Sequence, residues 1–225
     1  MKRLYELIQK NLSFDKVSEL FGKQLSKDQL PLITISREKG SGGRPIAHLV
    51  AKKLGYPWKV YHEEIVNEIV EKTHLETQLV KEVDEANIPL IDEIVADFFG
   101  RRYLNLSGYY KELIKILSTI GHRGHAVIVG RGADYLFPHA LKIRIICEMD
   151  QRIKWMREFE KITRDEAVRR IDESDKKRIE FVETVFKHDP RKAHHYDLVV
   201  RTGTSLSIED AADLIVRLAK RRFGI

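Results

Sequence analysis

Residues 32–54 read LITISREKGSGGRPIAHLVAKKL, a β-branched apolar run that breaks into GSGGR at 40–44 and resumes with the apolar spacing of an amphipathic helix. Strand, glycine loop and helix in that order make a phosphate-binding arrangement. Glycines let backbone amides curl around an anion where a Cβ would clash, and the helix beginning at Gly43 or Arg44 points its positive end at the same spot. The segment predicts an α/β unit that binds a phosphate group, and a nucleotide is the natural owner of that phosphate. A plain glycine turn joining a strand to a helix is the alternative this segment alone leaves open.

The loop departs from the standard pattern G-x-x-x-x-G-K-S/T. With Gly43 as the second glycine, Glu38 stands in place of the first, Arg44 in place of the lysine and Pro45 in place of the magnesium-binding hydroxyl. The positive charge survives, and an arginine adds a fork that suits phosphate oxygens. Pro45 is tolerated in the first turn of a helix, where its missing amide hydrogen would have no partner. A metal would then need another ligand, and Ser41 is the nearest hydroxyl. The dinucleotide pattern G-x-G-x-x-G fits worse, because Pro45 falls on its third glycine.

Outward from this segment, the chain has 225 residues, 33% charged and 43% hydrophobic, the composition of a globular protein with a real core and one main domain. Residues 1–30 alternate apolar and charged positions at helical spacing and predict a short helical arm. They hold no apolar block long enough for a membrane span or a signal peptide, so the expected location is cytoplasmic, with no membrane partner. Cys147 is the one cysteine and lies in the apolar run LKIRIIC, which excludes an internal disulfide and predicts a buried, inert thiol. The net charge of +6 is spread through interleaved acidic and basic residues, the pattern of solvated helix faces rather than of a nucleic-acid groove. Only DKKR at 175–178 and KRR at 220–222 are locally basic, and the second suits a helix C-terminus.

Four further strands are predicted at residues 57–61, 126–129, 141–147 and 196–200, short and mainly apolar as in a parallel sheet covered on both faces. Helices are predicted at 62–72, 77–86, 88–99 and 109–121, a block without strands that reads as a helical insertion over 62–121. Further helices follow at 150–160, 164–187 and 207–222, the last with Ser207 as N-cap and Asp210 three residues on, in a position resembling a capping box. The fold expected is α/β, a five-stranded parallel sheet with helices on both faces, and the domain runs over 31–225.

Three places carry candidate chemistry. VGRGADY at 129–135 follows a buried strand, so Arg131 should emerge at the carboxyl edge of the sheet, where open α/β folds bind ligands. Pairing of Arg131 with Asp134 is its alternative. In the helix over 164–187, Arg170, Ser174 and Arg178 recur every four residues on one face, able to lay positive charge over a migrating phosphoryl group, with Asp175 placed to orient arginines or a metal. An exposed, salt-bridged helix is the bland reading of the same spacing. Neither His122 with His125 nor His194 with His195 has companion ligands at zinc spacing, and no histidine is placed to activate Ser36 or Ser41 as a nucleophile.

Taken together, ISREKGSGGRPIAHLVAKKLG, VYHEEIV, VIVGRGADYLF, DKKRIEFVETVF and HHYDLVVRTGTSLSIEDAADLI resemble the cytidylate kinase-like family, across roughly residues 31–220. The resemblance implies a P-loop nucleoside monophosphate kinase fold with ATP and Mg2+ as cofactors and a small nucleotide, CMP or dCMP, as acceptor. By resemblance, Gly40, Ser41, Gly42, Gly43 and Arg44 bind the donor phosphates, Thr202 and Gly203 border the adenine, and Arg131 with Asp134 holds the acceptor. Arg44, Arg170, Asp175 and Arg178 act on the transferring group, the last three from a lid over 160–190. The chain departs from true cytidylate kinases at Arg44, Pro45 and Gly132. A nucleotide-binding regulatory module without transfer activity, or a kinase of another small acceptor, are the alternatives.

Overall fold

The computed structural model describes residues 30–62 and 108–225. The expected arm over 1–30, save its last residue, and the insertion helices before residue 108 lie outside the described residues. Five strands, β1 (Leu32–Arg37), β2 (Lys59–Tyr61), β3 (Ala126–Val129), β4 (Leu141–Cys147) and β5 (Leu198–Thr202), form one sheet in the order β2-β3-β1-β4-β5. Every pairing is parallel. The chain adds β2 and β3 on one side of β1 and then β4 and β5 on the other. Its glycine loop therefore leaves β1 where the winding reverses, the crevice in which open α/β sheets bind ligands.

Both faces of the sheet are covered, as its continuous apolar strands require. On one face, α1 (Gly43–Leu54) and the C-terminal α6 (Ile208–Phe223) bury Ile46, Val50, Ala211 and Ile215 against Ile33, Ile35, Val129, Ile143 and Val200. On the other, α2 (Gly108–Arg123) brings Leu113, Leu117 and Ile120 onto Leu32 and Ile128, with Ala133 of the one-turn α3 (Ala133–Leu136) beside them. Adjacent residues of β1 thus serve opposite layers, as the strand period dictates. A third cluster, smaller and separate, holds α4 (Met149–Glu160) to α5 (Arg164–Phe186) through Ile153, Met156, Ala167 and Ile171.

The last strand sits two residues later than its apolar run predicts. Asp197 spends its carboxylate on the Lys142 amide at 2.8 Å and donates its own amide to the Lys142 carbonyl at 2.9 Å, acting as a bracket before the strand. The long β4 then pairs onward until Cys147 meets Thr202. At the start of α6 the expected capping box is present, with Ser207 and Asp210 exchanging side-chain and backbone bonds. Cys147 is buried, and burial pushes its thiol up. Among the described residues, no helix is long and apolar enough to cross a membrane.

Candidate active site

The site grows from the carboxyl end of β1. Arg37 is its last residue, and two glycines make room for the side chain. A Cβ on Gly43 would lie 2.7 Å from the Arg37 Cβ, and one on Gly130 would lie 1.9 Å from Nη1. The arginine therefore runs from the N-terminus of α1 to the turn after β3, through space that any larger residue would fill. Gly130 also has φ +75°, a conformation L side chains rarely adopt.

After Arg37 the loop folds back on itself: the Ser41 hydroxyl donates to the Glu38 carbonyl at 2.9 Å and is fully buried. Thr202 supports the same loop from β5, donating to the Ser41 carbonyl at 2.8 Å. The loop lies between two helices, with Gly40 against Arg152 and Met156 of α4 and Gly42 against Ile208 of α6.

Arg152 ties these parts together. Only 8% exposed, it donates Nε to the Lys39 carbonyl at 2.7 Å and Nη2 to Asp175, and its Nη1 lies 3.7 Å from Glu38. Asp175 also accepts the Lys39 amide at 2.8 Å and Arg178 Nη1 at 3.0 Å. One carboxylate on α5 thus fastens the glycine loop, α4 and a second arginine. Lys39 adds an outer tie through Nζ to Glu160 at 2.9 Å. Burial pushes the Glu160 carboxyl up, but hydrogen bonds from Lys39 and Arg170 outweigh it and leave the group below its ordinary range.

Two cavities open around this frame. One, of about 710 Å³, is lined by the glycine loop, Arg44 and Pro45 on one side and by Trp155 and Phe159 of α4 on the other. The second, of about 220 Å³, is lined by Arg131, Arg144, Arg191 and Asp134. Four residues line both: Arg37, Glu38, Ser174 and Arg178. The cavities therefore meet under two guanidinium groups, an arrangement suited to two anionic ligands placed end to end.

An aromatic cluster adjoins two lining residues of the second cavity, Asp134 and Arg144. Tyr135 stacks on His195 with centroids 4.1 Å apart and on Phe186 at 5.2 Å, and His195 Nε2 lies 3.3 Å from the Asp134 carboxylate. Arg144 donates to Ser36 Oγ at 3.1 Å and lies over the Tyr196 ring, whose hydroxyl donates to the Pro190 carbonyl at 2.8 Å. Burial first, and Asp134 second, push the Tyr196 phenol up to about 12, so it stays a neutral donor. Arg131 is held with φ +61°, a left-handed conformation that costs a non-glycine residue about 1 kcal/mol or more.

Of the residues expected from sequence, Gly40, Gly42, Gly43 and Arg44 line the first cavity, Arg131, Asp134 and Asp175 the second, and Arg178 both. Arg170 does not join them. It is half-exposed and bonds Glu166 at 2.5 Å and Glu160 at 3.0 Å, one turn away from the shared wall that Ser174 and Arg178 form. Thr202 and Gly203 line neither cavity. The Ser41 hydroxyl, expected as a metal ligand, is turned inward onto backbone carbonyls. Sequence reasoning missed Arg37, Arg144 and Arg152. Arg144 left a signal, one of two charges, with Lys142, in the mainly apolar strand β4; Arg152 left none.

The sequence profile of the cytidylate kinase-like family matches residues 32–204, from the first residue of β1 to two residues past β5. The crystal structure of an uncharacterized protein from Eubacterium ventriosum superposes with a TM-score of 0.66 at 21% identity, covering 86% of this chain and 99% of that one, a likeness of fold. That of TT1252 from Thermus thermophilus gives 0.46 at 14% identity, over 86% and 98% of the two chains, and adds nothing to the assignment. No protein of curated function matches in sequence. The profile spans the glycine loop, the α4–α5 pair and every residue lining the two cavities except Ile208, so the chain belongs to the cytidylate kinase-like family and is a kinase-like protein.

Proposed function

We propose that the protein moves the γ-phosphoryl group of ATP to a nucleoside monophosphate, CMP or dCMP. The observation that carries this reading is the pair of cavities sharing Arg37, Glu38, Ser174 and Arg178. A kinase needs its donor and acceptor phosphates to meet in a dry place rich in fixed positive charge, and little covalent chemistry beyond that. In this reading the amides of 40–43 and Arg44 hold the donor phosphates, and Arg131, Arg144 and Asp134 receive the acceptor. Arg37 and Arg178 neutralise charge on the group in flight. The acceptor's phosphate oxygen forms the new bond to phosphorus as the bond to the leaving ADP breaks.

The α4–α5 pair acts as a lid, with a small core of its own and one carboxylate, Asp175, latching it to the loop. Arg170 then braces the outside of the lid. Magnesium binds hard oxygen ligands together with substrate phosphates. Glu38 and Asp175 both face the second cavity and offer carboxylate oxygens of that kind. Bound there, the ion would neutralise phosphate oxygens.

A second reading, a nucleotide-binding regulatory module, is favoured by Pro45 at the hydroxyl position and by the inward Ser41 hydroxyl. A coupled ADP-release assay over a panel of nucleoside monophosphates separates the two. Metal-dependent release with CMP or dCMP supports the kinase; release with another acceptor moves the substrate; ATP binding without release from any acceptor supports the module.

A further inference from the structure

The cavity around the glycine loop is walled on its α4 side by Trp155 and Phe159, one helical turn apart on a single face. Phe159 is 74% exposed, and Trp155 is half-buried. Both stand outside the α4–α5 core, which takes Ile153 and Met156 from the neighbouring face of the same helix. Single exposed apolar residues need no explanation, but two aromatics at the mouth of a phosphate-loop cavity offer a surface for a planar group. The remaining apolar walls are Met156, Pro45 and Ile208. The polar lining residues besides Glu160 lie in the 37–44 segment or on the wall shared with the second cavity, with Ser174 and Arg178, and Glu160 is taken by Lys39 and Arg170.

We propose that Trp155 and Phe159 form a stacking platform for the donor's base, and that it reads the base by its flat face alone, so that ATP, GTP and CTP serve as donors alike. The proposal rests on the phosphate-loop reading above: with phosphates at Gly40–Arg44, the nucleoside projects out between α4 and the start of α6, whose side chains touch Gly40 and Gly42 from opposite sides. Every base has a π-face, so stacking tolerates all four, whereas hydrogen-bond readout of an edge selects one.

The test is calorimetric titration of the full-length protein with ATP, GTP, CTP and inorganic tripolyphosphate, each with Mg2+, in the wild type, Phe159→Ala and the Trp155→Ala/Phe159→Ala double variant. The expected result is that tripolyphosphate binds all three proteins equally. The three nucleotides bind the wild type tighter than tripolyphosphate by similar margins, and those margins shrink about tenfold or more in the double variant. Phe159→Ala, at an exposed position, shows part of the loss even if the double variant misfolds. Undiminished margins with intact tripolyphosphate binding overturn the platform alone. A preference above about tenfold for one base overturns its indifference. Failure of tripolyphosphate to bind the wild type overturns the phosphate-loop reading and the platform with it.

Discussion

Arg44 and Arg37 divide the positive charge of the site between its ends. Arg44 borders only the glycine-loop cavity, whereas Arg37 stands where the two cavities join. One preorganised donor on developing charge is commonly worth about 100-fold in rate. Arg44→Ala is expected to weaken ATP binding and to lower turnover by at least about that factor. Arg37→Ala and Arg178→Ala are expected to lower turnover while leaving ATP affinity nearly unchanged, because their interactions strengthen as the phosphoryl group moves. Steady-state rates beside calorimetric affinities decide, and equal losses in both would make Arg37 and Arg178 ground-state contacts. Arg44 was legible because it lies inside the loop motif. Arg37 lies in the same stretch yet was not, because its role depends on Gly43 and Gly130 meeting around it from two separate turns.

The turn after β3 supplies the prediction for an element. In Gly130→Ala, the new methyl group would enter the Arg37 guanidinium, and the backbone would be held at φ +75°. The second effect alone costs about 1 kcal/mol. The variant is expected to fold with a lowered Tm and to show the turnover defect of Arg37→Ala, since the same guanidinium is displaced. Normal turnover would mean that Arg37 can leave its slot without loss. Glycine loop, α1, β3, β4 and the capped α6 were readable because each is local: period, cap and breaker lie within a few residues. The extent of β5 was not, because the bracket between Asp197 and Lys142 comes from a neighbouring strand. The helical spacing of Arg170, Ser174 and Arg178 was correct as geometry, but spacing does not say where a face points, and Glu160 and Glu166 take Arg170 aside.

For the molecule as a whole, a parallel sheet with both faces covered was legible from five short apolar strands separated by helices. The meeting of two cavities was not, because it is a property of turns that converge from β1 and β3 together with α5. Stability should show one trace of this packing. His139 has both ring nitrogens buried with no hydrogen-bond partner. Burial, then the charges of Arg222 and Lys142, lowers its pKa from 6.5 to about 4. The unfolded chain therefore binds a proton that the folded one refuses, and stability is lost as pH falls from about 6.5 towards 4, by at most about 3 kcal/mol for the partly exposed ring. His139→Gln should flatten a plot of Tm against pH across that window, and an unchanged slope would assign the loss to other groups. Phosphoryl transfer in this protein should carry the group from the glycine-loop cavity to the arginine-lined one. Incubation of the protein with Mg2+, CMP and ATP labelled at the γ-phosphorus, with the products separated by charge, follows that crossing. The label is expected to appear on CDP in step with ADP, and to disappear from CDP in Arg37→Ala. Label found only in ATP and inorganic phosphate, whichever nucleoside monophosphate is supplied, would contradict it.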